Sequence, residues 1–253
     1  MNRVRRRVIN SIVSVLNRLL LFDVFVNKLM RKEKYFSGGV MTPHYLNYQE
    51  NVQLAISRTI KVLGRNPYPL WKVVIYLYFV AQTKRMQGDY VELGVGKGFM
   101  SRAALEYEAL SPGSNRRFLL FDKFTSELVH DLTGDIIDGS QNPEYALNIS
   151  EVEINLAQFK PRIQIIPGVL PESITLKSVS KISFLHIDLN AANPETACLK
   201  KLWDLIEHGG IIILDDYCHA GRRSQFVAMN QLAQEIGFDI LSLPTGQGLI
   251  MKH

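Results

Sequence analysis

An α/β fold with a mostly parallel sheet is what this chain predicts, on three observations. At Tyr90-Val-Glu-Leu a short apolar strand runs into glycines at alternate positions, Gly94, Gly96 and Gly98, and a helical pattern opens at Ser101. Four more apolar runs follow with helical patterns between them, and three of these carry aspartate at their ends, Asp122, Asp188 and Asp215. Two short strand patterns, 239–243 and 248–252, close the chain as an antiparallel pair. Strand-turn-helix units repeated in this way build a sheet with helices on both faces. Ligands of such sheets lie outside the carboxyl ends of the strands.

With 253 residues and 47% hydrophobic content the chain can bury one large core, so one principal domain plus an extension is expected. The formal charge of +5 is concentrated, because Arg3, Arg5, Arg6, Arg7, Arg18, Lys28, Arg31, Lys32 and Lys34 all precede residue 35. Basicity therefore belongs to an N-terminal segment and not to the body, and no nucleic-acid partner is expected. Cys198 and Cys218 lack metal-type spacing, and no small-residue cleavage site follows the apolar N-terminal part. The cysteines are read as reduced and the protein as cytoplasmic.

Taken in order, Ile9, Ile12, Val13, Leu16, Leu19 and Leu20 fall on one side of a helix. Asn17, Arg18, Asp23, Asn27 and Lys28 interrupt the run and argue against a bilayer crossing. Residues 1–34 are thus read as a basic amphipathic helix. It packs on the body or on a second copy in a homodimer, or else lies peripherally on an anionic membrane at its inner face. Residues 35–87 are read as a helical cap, with helices over 48–63 and 71–82 and with His44, Tyr45 and Tyr48 as candidates to face a substrate. The third region, 88–253, holds the sheet.

Within it Arg117–Asp122 is the second strand, and 123–150 is a long loop of the kind that forms lids. Ser150 caps a helix through Phe159. The third strand, 162–166, ends at Pro167-Gly168, and Pro171 opens the next helix. Ile182–Asp188 is the fourth strand. A helix over 194–206 stops at Gly209-Gly210, 211–217 is the fifth strand, and a helix over 224–236 leads to the closing pair, giving seven strands.

The glycine spacing bears on the ligand. A dinucleotide fingerprint wants its third glycine three residues after the second, where this chain has Phe99. A nicotinamide-dependent oxidoreductase, the alternative enzyme class, is disfavoured by that spacing and by the lack of a Tyr-x-x-x-Lys site. Glu92 followed by glycines at every second position instead resembles motif I of the class I S-adenosylmethionine (SAM) methyltransferases. Asp122, 24 residues beyond Gly98, is suited to accept from both ribose hydroxyls. Asp188, Asp215 and Asp216 converge at one sheet edge, and crowded acids repel one another unless a cation neutralises them. Oxygen ligands suit a hard ion such as Mg²⁺, while the absence of a His or Cys cluster disfavours zinc.

Six segments in order, Glu92-Leu-Gly-Val-Gly-Lys-Gly, Phe121-Asp-Lys-Phe, Ser150-Glu-Val-Glu, Gly168-Val-Leu-Pro-Glu, His186-Ile-Asp-Leu-Asn and Gly209-Gly-Ile-Ile-Ile-Leu-Asp-Asp-Tyr, resemble the macrocin O-methyltransferase (TylF-type) family from about Gly88 to the C-terminus. The resemblance implies a Rossmann-like class I methyltransferase with an N-terminal helical extension. It also implies SAM and Mg²⁺ as cofactors, and methyl transfer to a hydroxyl of a sugar or other small natural product. By position, Glu92, Gly94, Gly96, Gly98, Ser101, Asp122, Lys123, Gly168 and Asp188 would bind the cofactor, and Asp188, Asp215 and Asp216 the metal. Asp188 and His219 are the candidate bases, and His186 is read as a core histidine. Asn190-Ala-Ala-Asn-Pro-Glu departs from the family's Tyr-Glu-Ser-Thr-like run, as does Lys123 from its usual serine, so the acceptor does not transfer. A third reading is a non-catalytic, membrane-associated binding protein that keeps the fold.

Overall fold

The computed structural model describes residues 50–64, 68–111, 113–124, 148–175, 179–219 and 221–253, with the backbone of four two-residue strands elsewhere. Met1–Tyr48 and Gln49–His253 are two compact units. In the first, Tyr35–Phe36 pairs antiparallel with Gly39–Val40. The helix expected over 1–34, its membrane or dimer contact, and His44, Tyr45 and Tyr48 lie outside the described residues. So does most of the expected lid, in which Val129–His130 pairs with Ile136–Ile137.

The second unit opens with helices α1 (Glu50–Leu63) and α2 (Leu70–Thr83). The boundary expected between 87 and 88 falls inside this unit, for a physical reason. Val73, Tyr76, Leu77 and Val80 of α2 are fully buried in one cluster with Tyr90, Phe184, Ile211 and Ile213 of the sheet, so α2 cannot leave without exposing the core. Next come β1 (Asp89–Leu93), α3 (Phe99–Leu110), β2 (Phe118–Asp122), α4 (Ile149–Leu156) and β3 (Ile163–Pro167). β4 (Ile182–Ile187), α5 (Ala192–Leu202), β5 (Ile206–Leu214), α6 (Arg223–Ile236), β6 (Leu241–Ser242) and β7 (Gly248–Met251) complete it.

The seven strands lie in the order β6-β7-β5-β4-β1-β2-β3. β1 to β5 are parallel, β7 runs antiparallel to β5, and β6 antiparallel to β7. Strand order reverses between β1 and β4, so the crevice beyond their carboxyl ends is the place for a ligand. Alternating side chains serve two cores. Tyr90 stacks between Phe118 and Phe184 at centroid separations of 4.2 and 5.3 Å on the α2 and α3 face, while Val91 and Leu93 join Leu199, Leu202 and Leu232 on the α5 and α6 face.

Three expected elements differ. Asn148, not Ser150, caps α4, accepting from Glu151 N at 3.1 Å. Pro171 lies in a turn over 170–173, and the described residues between it and β4 hold no helix. The helix expected to stop at Gly209-Gly210 ends at Leu202, and β5 starts at Ile206 and runs through the glycine pair. A Cβ at Gly210 would lie 2.7 Å from the Glu207 carbonyl oxygen and 2.8 Å from Ile206 Cγ2. The pair therefore marks an irregularity in a strand, where the register against β4 jumps between Ile182 and Phe184.

Candidate active site

β1 leaves the sheet at Gly94 with φ 86°, and a Cβ there would stand 1.9 Å from the Asp188 carbonyl oxygen. Bare backbone lets Asp188 N donate to Leu93 O at 2.8 Å and Gly94 N to Phe121 O at 2.9 Å. The loop of Gly94, Gly96 and Gly98 is thereby locked to the ends of β2 and β4, and α3 starts after Gly98 without a side-chain cap. Asp122 sits across this loop. Its Oδ2 accepts from Val95 N at 2.8 Å and Gly96 N at 3.0 Å, and its Oδ1 from Phe124 N at 3.1 Å. Half-buried Lys123 follows it, and Gly168 N donates to Asp122 O at 2.9 Å.

Two expected cofactor residues turn inward instead. Glu92 is 1% exposed, with Oε2 accepting from Tyr90 Oη at 3.0 Å and from Ser101 Oγ, and Oε1 lying 3.2 Å from His186 Nδ1. Burial raises its pKa above the ordinary glutamate value, with bonding from His186 in partial opposition. Ser101 is wholly enclosed. Together they brace the glycine loop from beneath, because a buried carboxylate needs every donor it can find. His186 lies in the core, as expected. Burial opposes its charge, but the Asp215 and Glu92 carboxylates outweigh this and raise its pKa to about 10.

At the other side of the switch point stand the acids. Ile187 and Leu214 are register partners, so Asp188 and Asp215 leave adjacent strands side by side. Asp188 Oδ1 accepts from Asn190 Nδ2 at 3.2 Å and Oδ2 from Tyr68 Oη at 3.4 Å. Asp215 is 3% exposed and accepts from Gln247 Nε2 at 3.1 Å through Oδ1 and from Lys72 Nζ at 2.9 Å through Oδ2. Lys72 also donates to Asp215 O at 2.9 Å and to Asp216 Oδ1 at 3.4 Å. Arg222 Nε approaches Asp216 Oδ2 at 3.8 Å, and the same guanidinium donates to Asn190 Oδ1 at 2.6 Å.

These environments separate two of the carboxyls. Burial, then repulsion from Asp215 and Asp216, raises Asp188 well above the usual carboxylate range. Burial acts upward on Asp215 too, but Lys72 and His186 outweigh it and hold that carboxyl well below the range. Asp215 is thus a fixed anion, and Asp188 is the group with affinity for a proton. His219 is exposed on the turn after β5, its Nδ1 accepting from Gly221 N at 3.3 Å.

The three acids do not form the expected metal trio. Among the described residues no group of three or more His, Cys, Asp or Glu is arranged to hold a metal ion, and the Lys72 ammonium already bridges Asp215 and Asp216. Mg²⁺ requires near-octahedral oxygen ligands at about 2.0–2.1 Å, so these residues as they stand do not fit it. Lys72, Tyr68, Asn190, Arg222 and Gln247 were not legible as site residues in the sequence. Lys72 alone left a trace, as the one charge in the otherwise uncharged run Leu70–Thr83.

The family model for macrocin O-methyltransferase (TylF) matches residues 78–245. This chain belongs to that family. As a TylF-family protein it is a SAM-dependent O-methyltransferase, which removes both the nicotinamide and the non-catalytic alternatives. No curated protein matches the chain. Among solved structures, the O-methyltransferase NovP is similar at TM-score 0.63 and 17% identity, over 79% of this chain and 99% of NovP. The calicheamicin methyltransferase CalS11 is similar at TM-score 0.58 and 17% identity, over 86% of this chain and 99% of CalS11. The S-adenosylhomocysteine (SAH)-bound Podospora anserina methyltransferase PaMTH1 follows at TM-score 0.52 and 14% identity, over 92% and 96%. At such identities these likenesses establish the fold.

Proposed function

We propose that this TylF-family protein transfers the methyl group of SAM to a hydroxyl of a sugar or sugar-bearing natural product. The observation that carries the reading is the single backbone junction at which the glycine loop meets Asp188, which sets a donor cradle and an acid edge side by side. The cradle fits SAM. Asp122, half-exposed and fixed by three main-chain N–H groups, is set to accept from ribose hydroxyls. Lys123 and Gly168 border the same edge.

SAM, when bound, supplies an electrophilic methyl group. The chain's own residues hold the acceptor oxygen in line with it and take its proton. Asp188 is the group assigned to that proton. Asp188 in its ionised form would take the hydroxyl proton on a carboxylate oxygen as bound SAM gives up its methyl group to the acceptor oxygen and leaves as SAH. Asn190 and Tyr68 aim that carboxyl, and the fixed anion at Asp215 keeps its proton affinity high. His219 is left as a surface residue of the turn, and magnesium has no step in this scheme.

The sugar acceptor draws support from the family and from CalS11, described as a TDP-rhamnose 3'-O-methyltransferase. Calorimetry with SAH, followed by mass spectrometry of nucleotide sugars and glycosides incubated with SAM, tests the reading. Micromolar SAH binding and a methyl mass increment on a sugar are expected. A chain that binds no SAH overturns it.

A further inference from the structure

The acidic edge contains a cation that the chain itself provides. Lys72 enters from the first turn of α2 and is 8% exposed, and its three ammonium donors are matched by three acceptors, Asp215 O, Asp215 Oδ2 and Asp216 Oδ1. A lysine in an uncharged helix is not placed there by solvation; it is stable in the interior only against anionic partners. The remaining carboxylate oxygens face protein groups as well. Asp215 Oδ1 faces Gln247, Asp216 Oδ2 faces Arg222, and Asp188 faces Asn190 and Tyr68. A divalent ion bound to Asp215 and Asp216 would have to displace an ammonium that already bonds both. Two cations sharing that space, one of them covalently held, repel one another. Lys72 also precedes residue 78, where the match to the family model begins.

We propose that Lys72 is the resident cation of this site, standing where the family resemblance places a divalent metal, and that methyl transfer here proceeds without one. Metal independence rests on the methyltransferase reading, whereas occupation of the site by Lys72 does not. With no donor to spare, Lys72 acts through Asp215 and Asp216, as a positioning residue that holds both side chains in place.

Electron paramagnetic resonance of Mn²⁺, added as the probe to full-length protein with and without SAH, tests this directly. The wild-type chain is expected to show no Mn²⁺ site tighter than millimolar and turnover indifferent to EDTA. Lys72→Met is expected to bind Mn²⁺ at least about tenfold more tightly, and to be the form whose melting temperature rises on adding Mg²⁺. A stoichiometric micromolar Mn²⁺ site in the wild type, or turnover abolished by EDTA, overturns the proposal. If Lys72→Met does not fold, the wild-type Mn²⁺ measurement decides alone. Absence of SAH binding would sink the methyltransferase reading while leaving the Mn²⁺ result to judge Lys72.

Discussion

Asp188 and Asp215 begin as the same side chain one residue past paired strand ends, yet their surroundings give them opposite protonation behaviour. Removing the proton acceptor should therefore stop the chemistry and spare the cofactor. Asp188→Asn is expected to lower kcat by roughly 100-fold or more, with SAH affinity changed only a few-fold, as calorimetry beside a turnover assay will show. A second buried acid supplies a pH test away from the chemistry. Burial pushes Glu195 from 4.5 up to about 8, against bonds from Gln225 Nε2 at 2.7 Å and Leu189 N at 3.2 Å. A carboxyl raised in the folded state binds its proton more tightly there than when unfolded. Its contribution is full below 4.5 and is lost as pH rises to about 8. Stability should fall across that window with a slope of up to about 1.4 kcal/mol per pH unit. Glu195→Gln should flatten the slope in urea titrations run at several pH values. At this scale the sequence showed which acids converge, because the ends of parallel strands must meet. Whether Glu92 faced a ligand or the core was not visible, since that depends on Tyr90, Ser101 and His186 arriving from three elements. Lys72 was hidden for the same reason, its partners lying 143 and 144 positions away.

Among the elements, the strand ends carry the tightest constraints. Gly94→Ala would impose both a left-handed φ and a collision with the Asp188 backbone, which cannot yield as a flexible side chain would. A loss of about 3 kcal/mol or more is expected in chemical denaturation, along with weakened SAH binding. Gly237→Ala is the control. It has a similar φ of 88° at the end of α6 but nothing within 4 Å of a Cβ, so about 1 kcal/mol is expected there. The helices Glu50–Leu63, Leu70–Thr83 and Arg223–Ile236 and the strands Phe118–Asp122 and Ile182–Ile187 were legible to within a residue or two, whereas the helix Ala192–Leu202 and the strand Ile206–Leu214 after it were displaced by four and five residues at their shared end. Gly209-Gly210 was not legible, because a glycine pair after a helical pattern stops a helix or kinks a strand, and only the crowding at Gly210 distinguishes the two. The cap of α4 moved for a local reason, since Asn148 and Ser150 both suit an N-cap and the first reached the amide of Glu151.

At the level of the whole molecule, charge is unevenly distributed along the chain. Residues 35–253 hold 20 basic against 22 acidic side chains, so the excess of positive charge lies entirely before them. Among the described residues no helix is long and apolar enough to cross a membrane. Deleting residues 1–34 is expected to abolish co-sedimentation with anionic liposomes, while SAH binding persists because Gln49–His253 is a compact unit. A wild-type chain that stays in the supernatant would end the membrane idea. Acceptor choice was not legible, because nothing in the spacing of the 35–69 and 123–150 stretches fixes their shape. The lysine on α2 has one more consequence. A counter-ion written into the polypeptide is made with every copy and cannot be stripped by a chelator. Such an enzyme has no loading step before its first turnover, and its rate should track donor and acceptor supply without regard to the magnesium around it.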